Sequence, residues 1–510
     1  MKRKYIILSV IFPAIIFLNS CESLLDETNP NQTTVQDYWV NETSAIKGTN
    51  AIYAALQRKG TYRRWLYFAY DVRSDVLYSR SPWADLSNFS KFTFSDYNFE
   101  VNYDLFQDQY RGLFRANQVL HYVPGIDMDP DLKKRLIGEA SFLRALFHYN
   151  LVNLYGNVPV ADHLPTDPSQ GFEQRTIDDV WGLIISDLKT AQESLLLSYS
   201  PEEVGRATWG AATGLLAKSY MQRHDYDNAI IELEKIIIDN EGLYELVSDY
   251  ASLFRHTSEN STESVFEIQF SNEFENGPDQ DGTATSSLGC NRSIFFAPTG
   301  VGWSDAEVNR WIVDKFLEER DASGDIDPRM DVTLIWNKPD SLDPVNLVYG
   351  VPYLTRFPEG HSKHDSQWMR KYQNDYWRDT ENWDSPINFI VIRYADLLLL
   401  YAEALNETNR TEEAYDYIDM IRQRVGLETL TSTKPDLSQQ EMRDQIEHER
   451  LLELAGESVR FLDLARWGKL SSDLSDRDPE FEYFVEGKSE LLPIPTQEID
   501  LNDVEQNNGW

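Results

Sequence analysis

Apolar residues along this chain recur at i, i+3, i+4 and i+7 over most of its length, the spacing that turns one face of an α-helix inward. The pattern predicts helices over 45–57, 104–122, 131–155, 176–197, 208–223 and 226–240. The third of these stops at Gly156, just before Pro159, the ordinary punctuation of a helix end. Between 71 and 100 the periodicity breaks up into aromatics mixed with Ser, Asp and Asn, which predicts a long loop over a helical frame. A second irregular stretch spans 243–385, rich in Gly, Pro, Asn and aromatics, with one β-like string at 264–270. Helical periodicity returns over 387–425 and 438–470.

Two helical pairs share a phase. Ala217 and Ala229 lie twelve residues apart across a polar turn, and so do Ala402 and Ala414. Small residues at that spacing let two antiparallel helices approach closely, as in tetratricopeptide hairpins. Residues 131–160 read as a degenerate third copy. The expected fold is mainly α: tetratricopeptide-like helix hairpins in a superhelical frame (34–242 and 386–510), forming one domain with a large irregular loop-rich insert (243–385).

The first residues set the compartment. Lys2, Arg3 and Lys4 precede an apolar run, broken by Pro13, that is too short to span a bilayer. It predicts a cleaved secretory signal over 1–20. Leu18-Asn19-Ser20-Cys21 has the form of a lipobox, making Cys21 the lipidated first residue of the mature chain and 21–33 an acidic tether. With Cys21 acylated, Cys290 has no cysteine left to pair with, so folding must rely on the core alone. Removing the signal leaves 44 Lys and Arg against 84 Asp and Glu, a formal charge of −40. Such a surface repels phosphate backbones and argues against a nucleic-acid partner. The 13 Trp and 27 Tyr leave aromatics to spare for a binding face.

Six blocks in order resemble the SusD-like (SusD/RagB) family. They are the lipobox with Leu24-Leu25-Asp26; Glu139-Ala140-Ser141-Phe142-Leu143-Arg144-Ala145-Leu146 running on to Gly156-Asn157-Val158-Pro159; Asp327-Pro328-Arg329; Ile392-Arg393-Tyr394-Ala395-Asp396-Leu397 with Tyr401-Ala402-Glu403-Ala404; Glu449-Arg450 through Arg466-Trp467; and Leu492-Pro493-Ile494-Pro495. The resemblance implies an outer-membrane, cell-surface lipoprotein without cofactor or catalysis. It would capture oligosaccharides for a SusC-like TonB-dependent transporter, closing over it by a hinge at the lipidated end. Arg144, Arg393 and Arg460 in these blocks read as framework. Two rivals remain at this level, a transporter lid for peptide or another nutrient and a surface glycoside hydrolase.

Sugars offer apolar C–H faces and dense hydroxyls, so a site for them needs flat aromatic platforms with a few oriented polar groups. The 71–100 loop has that content in Asp75, Arg80, Trp83, Asp85 and Asn88. Trp83 is the expected platform, with Asp75, Arg80 and Asn88 as hydroxyl partners. A second patch, 286–303, has glycines at 289, 300 and 302 that would let it bend and present Phe296 or Trp303. A third, 368–372, offers Arg370 beside aromatics. Metal is not expected: Asp321, Asp325 and Asp327 around Gly324 do not fit a calcium loop, and His361 and His364 lack a third ligand.

Overall fold

The computed structural model describes residues 35–165, 171–240, 242–273, 287–339 and 346–510. The signal, Cys21 and the whole 21–33 tether lie outside them.

Helix α1 (Glu42–Leu56) opens on a capping box in which the Asn41 Oδ1 accepts from the Ser44 N–H at 3.0 Å and Ser44 Oγ accepts from the Asn41 N–H at 3.2 Å. The predicted loop at 71–100 instead holds strand β1 (Leu77–Ser79) and helix α2 (Ala84–Lys91). Leu86 and Phe89 bury one face of α2, too short a period to read from sequence. Then come α3 (Glu100–Tyr122), α4 (Pro130–Tyr155), α5 (Ile177–Ser194), α6 (Trp209–Gln222) and α7 (Tyr226–Ile237), each packed on the next.

Past the insert, α7 packs on α9 (Tyr394–Glu407), which pairs with α10 (Thr411–Arg424) and rests on α11 (Gln439–Leu454). The hairpins α6–α7 and α9–α10 are the predicted repeats. Ala217, Ala229, Ala402 and Ala414 are all fully buried where the helices touch. The repeat extends to the turn. His224 and Asn409, each seven residues after the first alanine, both adopt positive φ (56° and 64°) and reverse the chain. The expected mainly helical, tetratricopeptide-like architecture is therefore the observed one.

The insert carries β2 (Ser264–Ile268), β3 (Ala306–Val308) and helix α8 (Arg310–Glu318). Residues 387–393 are not helix as expected. Residues 389–393 form β4 (Phe389–Arg393), antiparallel to β2, because the β-branched run Ile390-Val391-Ile392 finds a backbone partner there; four of the strand's five residues are buried. One large apolar core runs through the helices, and a smaller cluster around Tyr349, Tyr353, Phe357 and Trp368 supports the insert.

Arg329 and Arg393 of the six sequence blocks, with Arg424, form a buried ionic network. Arg329 pairs with Asp327 (2.7 Å) and Glu449 (2.5 Å), Arg393 with Glu263, Glu453 and Glu457, and Arg424 with Glu263 and Glu453. Arg144 grips Asp187 through two bonds of 2.7 Å. A buried ion persists when it is paired, and each of these guanidinium groups has at least one carboxylate partner. Asp321 caps a tight turn, accepting from the Ser323 and Asp325 N–H groups, and Asp327 is spent on Arg329. His364 is occupied by the Phe357 carbonyl and Asn337.

Candidate functional site

The antiparallel pair β1–β3 (Leu77 opposite Val308, Ser79 opposite Ala306) brings together the two predicted loops. In such a ladder the residues after one strand face those before the other. The Arg80 N–H accordingly donates to the Asp305 carbonyl at 2.9 Å, and Ser79 Oγ donates to the same oxygen. Trp83 and Trp303 thus leave the same end of one ladder.

Trp83 sits at the N-terminal boundary of α2, its N–H held by Ser81 Oγ at 3.1 Å. Its ring is 37% exposed and meets buried Trp65 edge to face at 5.5 Å. Trp65 is pinned from below, its Nε1 donating to Asp104 at 3.1 Å. Trp65 in turn meets Phe295 (5.5 Å), which is buried at the centre of the cluster. Trp303, 47% exposed, stands on Phe295 at 5.0 Å and 83°. Gly302 allows this: a Cβ there would lie 2.6 Å from the Ala297 Cβ and 2.7 Å from the Ile294 carbonyl, which accepts from the Trp303 N–H.

A third indole completes the face. Trp383, 38% exposed, meets Trp303 at 4.8 Å and Phe295 at 5.8 Å, both near perpendicular. The Arg64 guanidinium lies 4.6 Å above Trp383 and 5.0 Å above Trp65, while its Nε donates to Asn291 at 2.8 Å. The Asn291 amide nitrogen donates to the Trp383 carbonyl. Sequence reasoning missed Trp383, Arg64 and Trp65. The signal for Trp383 was the one used for Trp83, a tryptophan in a polar stretch without period.

The face is therefore three exposed indoles around a buried Phe295, edged by polar groups. Burial raises the Asp305 carboxyl above the usual range against a hydrogen bond from Ser81. Arg80 is half exposed, lies 4.2 Å over the Tyr78 ring, and is 3.5 Å from Glu480. Asn88 is half-buried on α2, its Oδ1 accepting from Thr93 Oγ1 at 3.2 Å.

Three expected contacts are corrected. Asp75 is fully buried, its carboxylate gripped by Arg460 through two bonds of 2.8 Å and by Arg477 at 3.0 Å, so it braces the fold. Phe296 is also fully buried, against Phe68 and the Arg292 guanidinium. Arg370 is held by Asp375 (3.0 Å) and by the Asp331 and Leu347 carbonyls, and its neighbours Trp368 and Lys371 are buried. No group of His, Cys, Asp and Glu among the described residues is arranged to hold a metal ion, and no described helix is long and apolar enough to cross a membrane.

Comparison with known proteins matches this architecture. The profile described as the SusD family matches residues 262–510, and one described as starch-binding associating with outer membrane matches 23–221. A SusD-like protein of Formosa agariphila is 26% identical, covering 96% of this chain and 97% of its own. A SusD superfamily structure from Bacteroides vulgatus superposes with a TM-score of 0.82 at 26% identity, covering 93% of this chain and all of that one. A structure titled as a laminarin binding SusD-like protein superposes with a TM-score of 0.76 at 28% identity, covering 92% of this chain and all of that one. With its hairpin frame, buried arginine network and both profiles in order along the chain, this protein belongs to the SusD-like family.

Proposed function

We propose that this chain is a lipid-anchored, cell-surface glycan-binding protein that captures oligosaccharides on the Trp83–Trp303–Trp383 face and passes them to a SusC-like TonB-dependent transporter. The observation that carries the reading is the trio of exposed indoles held in fixed, near-perpendicular contacts around buried Phe295. Exposed tryptophans with their orientation set in advance lose little freedom on binding and present the apolar surface that sugar C–H faces require. Arg64, Arg80 and Asn88 border or approach that surface as hydroxyl partners.

The ring planes argue for a class of glycan. Trp303 and Trp383 are 84° apart, so a chain that stacks on both must turn between units. A flat ribbon-like polymer engages one ring at a time, whereas a curved chain follows the face. The relative titled as laminarin-binding makes a β-1,3-glucan the first ligand to try. The face reads as a binder and not a catalyst, because it consists of stacking surface and scattered donors.

Native affinity gels cast with laminarin, glycogen, inulin, xylan or cellulose derivatives test this on the chain begun after Cys21. Retardation by a curved polysaccharide with no release of reducing ends is the expected result. Mobility unchanged in every gel would overturn the glycan reading, and reducing ends would restore the hydrolase one.

A further inference from the structure

A second aromatic face lies on the same loop, 374–385, that presents Trp383. Trp377 is 43% exposed, yet its ring is fixed: Nε1 donates to Asn374 Oδ1 at 3.0 Å, and Asn374 is itself held by Glu381 (2.8 Å) and Ser385 (3.1 Å). His256 packs against Trp377 at 4.7 Å and stacks on Tyr376 at 5.7 Å. The Tyr376 hydroxyl accepts from the His256 N–H at 2.9 Å and lies 2.6 Å from its Nδ1. The two rings are therefore clamped to one another. Burial lowers the His256 imidazole below its ordinary range, which suits a neutral ring accepting the tyrosine proton.

Beside this face opens a pocket of about 410 Å³ lined by Phe254, Arg255, Tyr349, Gln373, Asp375 and Tyr376, among others. Gln373 is only 2% exposed, and its amide nitrogen has no hydrogen-bond partner among the described residues. Its Oε1 accepts from Tyr349 at 2.9 Å. Leaving a buried donor unmade is costly, so a wall with one is a place where a ligand oxygen gains. Arg255 lies 5.4 Å over the Tyr376 ring, with its nearest carboxylate, Asp249, at 4.0 Å. Asp375, already paired with Arg370, adds an acceptor to the donors of Arg255 and Gln373, so the wall offers both, as a hydroxyl-rich ring requires.

The two faces are mechanically joined. Arg378 lies 4.4 Å over Trp377, donates to Asn382 Oδ1 at 2.8 Å, and donates to the Asp384 carbonyl at 3.0 Å, next to Trp383. Six residues separate Trp377 from Trp383, a reach of about 20 Å at most.

We infer that Trp377, Tyr376 and the adjoining pocket with Gln373 form a second sugar subsite, which holds a further unit of the same glycan strand bound at Trp83–Trp303–Trp383. The inference rests on the glycan reading above. It predicts that affinity grows with chain length, and that Trp377 matters only for chains long enough to reach it.

Calorimetry with laminaritriose and laminariheptaose, or with short and long oligomers of whichever polysaccharide the gels retain, tests it on wild type, Trp83→Ala and Trp377→Ala. Trp377→Ala should weaken the long oligomer by about 2- to 10-fold and leave the short one unchanged, while Trp83→Ala weakens both. Equal affinities for Trp377→Ala and wild type on both lengths would overturn the second subsite and leave the first intact. Loss with Trp377→Ala but none with Trp83→Ala would sustain a sugar site here and sink the one at Trp83. If the melting temperature shows Trp377→Ala misfolded, Trp377→Phe replaces it with the same expected direction. Wild-type protein that binds no oligomer sinks both readings.

Discussion

The indoles of Trp303 and Trp383 stand 4.8 Å apart with their planes at 84°, although eighty residues of chain separate them. Neither ring is buried by the other, because an edge-to-face contact fixes orientation while leaving outer surface free. The same contact recurs between Trp83 and Trp65, so the face is built from one repeated device.

Truncating a single exposed indole removes stacking area without opening the core. Trp83→Ala or Trp303→Ala is expected to weaken glycan binding by about 2- to 10-fold each. Urea titration should find each about 1–2 kcal/mol less stable than wild type, because each loses its edge-to-face contacts. Phe296→Ala, by contrast, should cost about 3–5 kcal/mol of stability, as a fully buried ring does.

Gly302→Ala tests how Trp303 is aimed. The added methyl would sit 2.7 Å from the Ile294 carbonyl that holds the Trp303 N–H. Relief requires backbone movement, so stability should fall by about 1–3 kcal/mol. Glycan affinity should fall with it, toward the value measured for Trp303→Ala.

Asp75→Ala leaves Arg460, 4% exposed on its side chain, without its main partner. Breaking a buried pair from one side costs about 3–5 kcal/mol. Denaturant unfolding should show that loss, while the affinity of the folded fraction stays unchanged, because Asp75 does not face the ligand.

Two carboxyls give opposite pH signatures. Lys469, Arg460 and Arg477 hold Glu447 down to about 2 despite burial, so its stabilisation is complete above the unfolded carboxylate range and is lost as pH falls from about 4.5 toward 2. Burial pushes Glu259 up to about 8, so it favours folding at low pH and that contribution is lost as pH rises from about 4.5 to 8. Glu259→Gln keeps an oxygen for the Asn388 N–H (2.8 Å) and removes the ionisation. Its melting temperature should exceed that of wild type at pH 8 and converge with it near pH 4.5.

The frame was legible because helix hairpins are local. Ala217 with Ala229 and Ala402 with Ala414 lie within one turn of chain from their contacts, and the sequence carries that spacing openly. The site was legible only as composition. Trp83 and Trp303 stood out as tryptophans in aperiodic polar stretches, but their meeting depends on β1 pairing with β3 across 229 residues. Asp75 misled for the same reason: the arginines that claim it are 385 and 402 residues away. Phe295 and Phe296 are adjacent and both buried, so neither of the pair was left over for ligand. The start of 387–425 misled because an apolar β-branched run has no period of its own, and only β2 makes it a strand.

The most direct test of the account is isothermal calorimetry of the soluble chain with laminarin, comparing wild type with the Trp83→Ala/Trp303→Ala double variant at equal folded fraction. Wild type should give measurable heat, and the double variant should bind about 10-fold or more weakly. Wild-type binding that the double variant retains in full would contradict the placement of the glycan on this face.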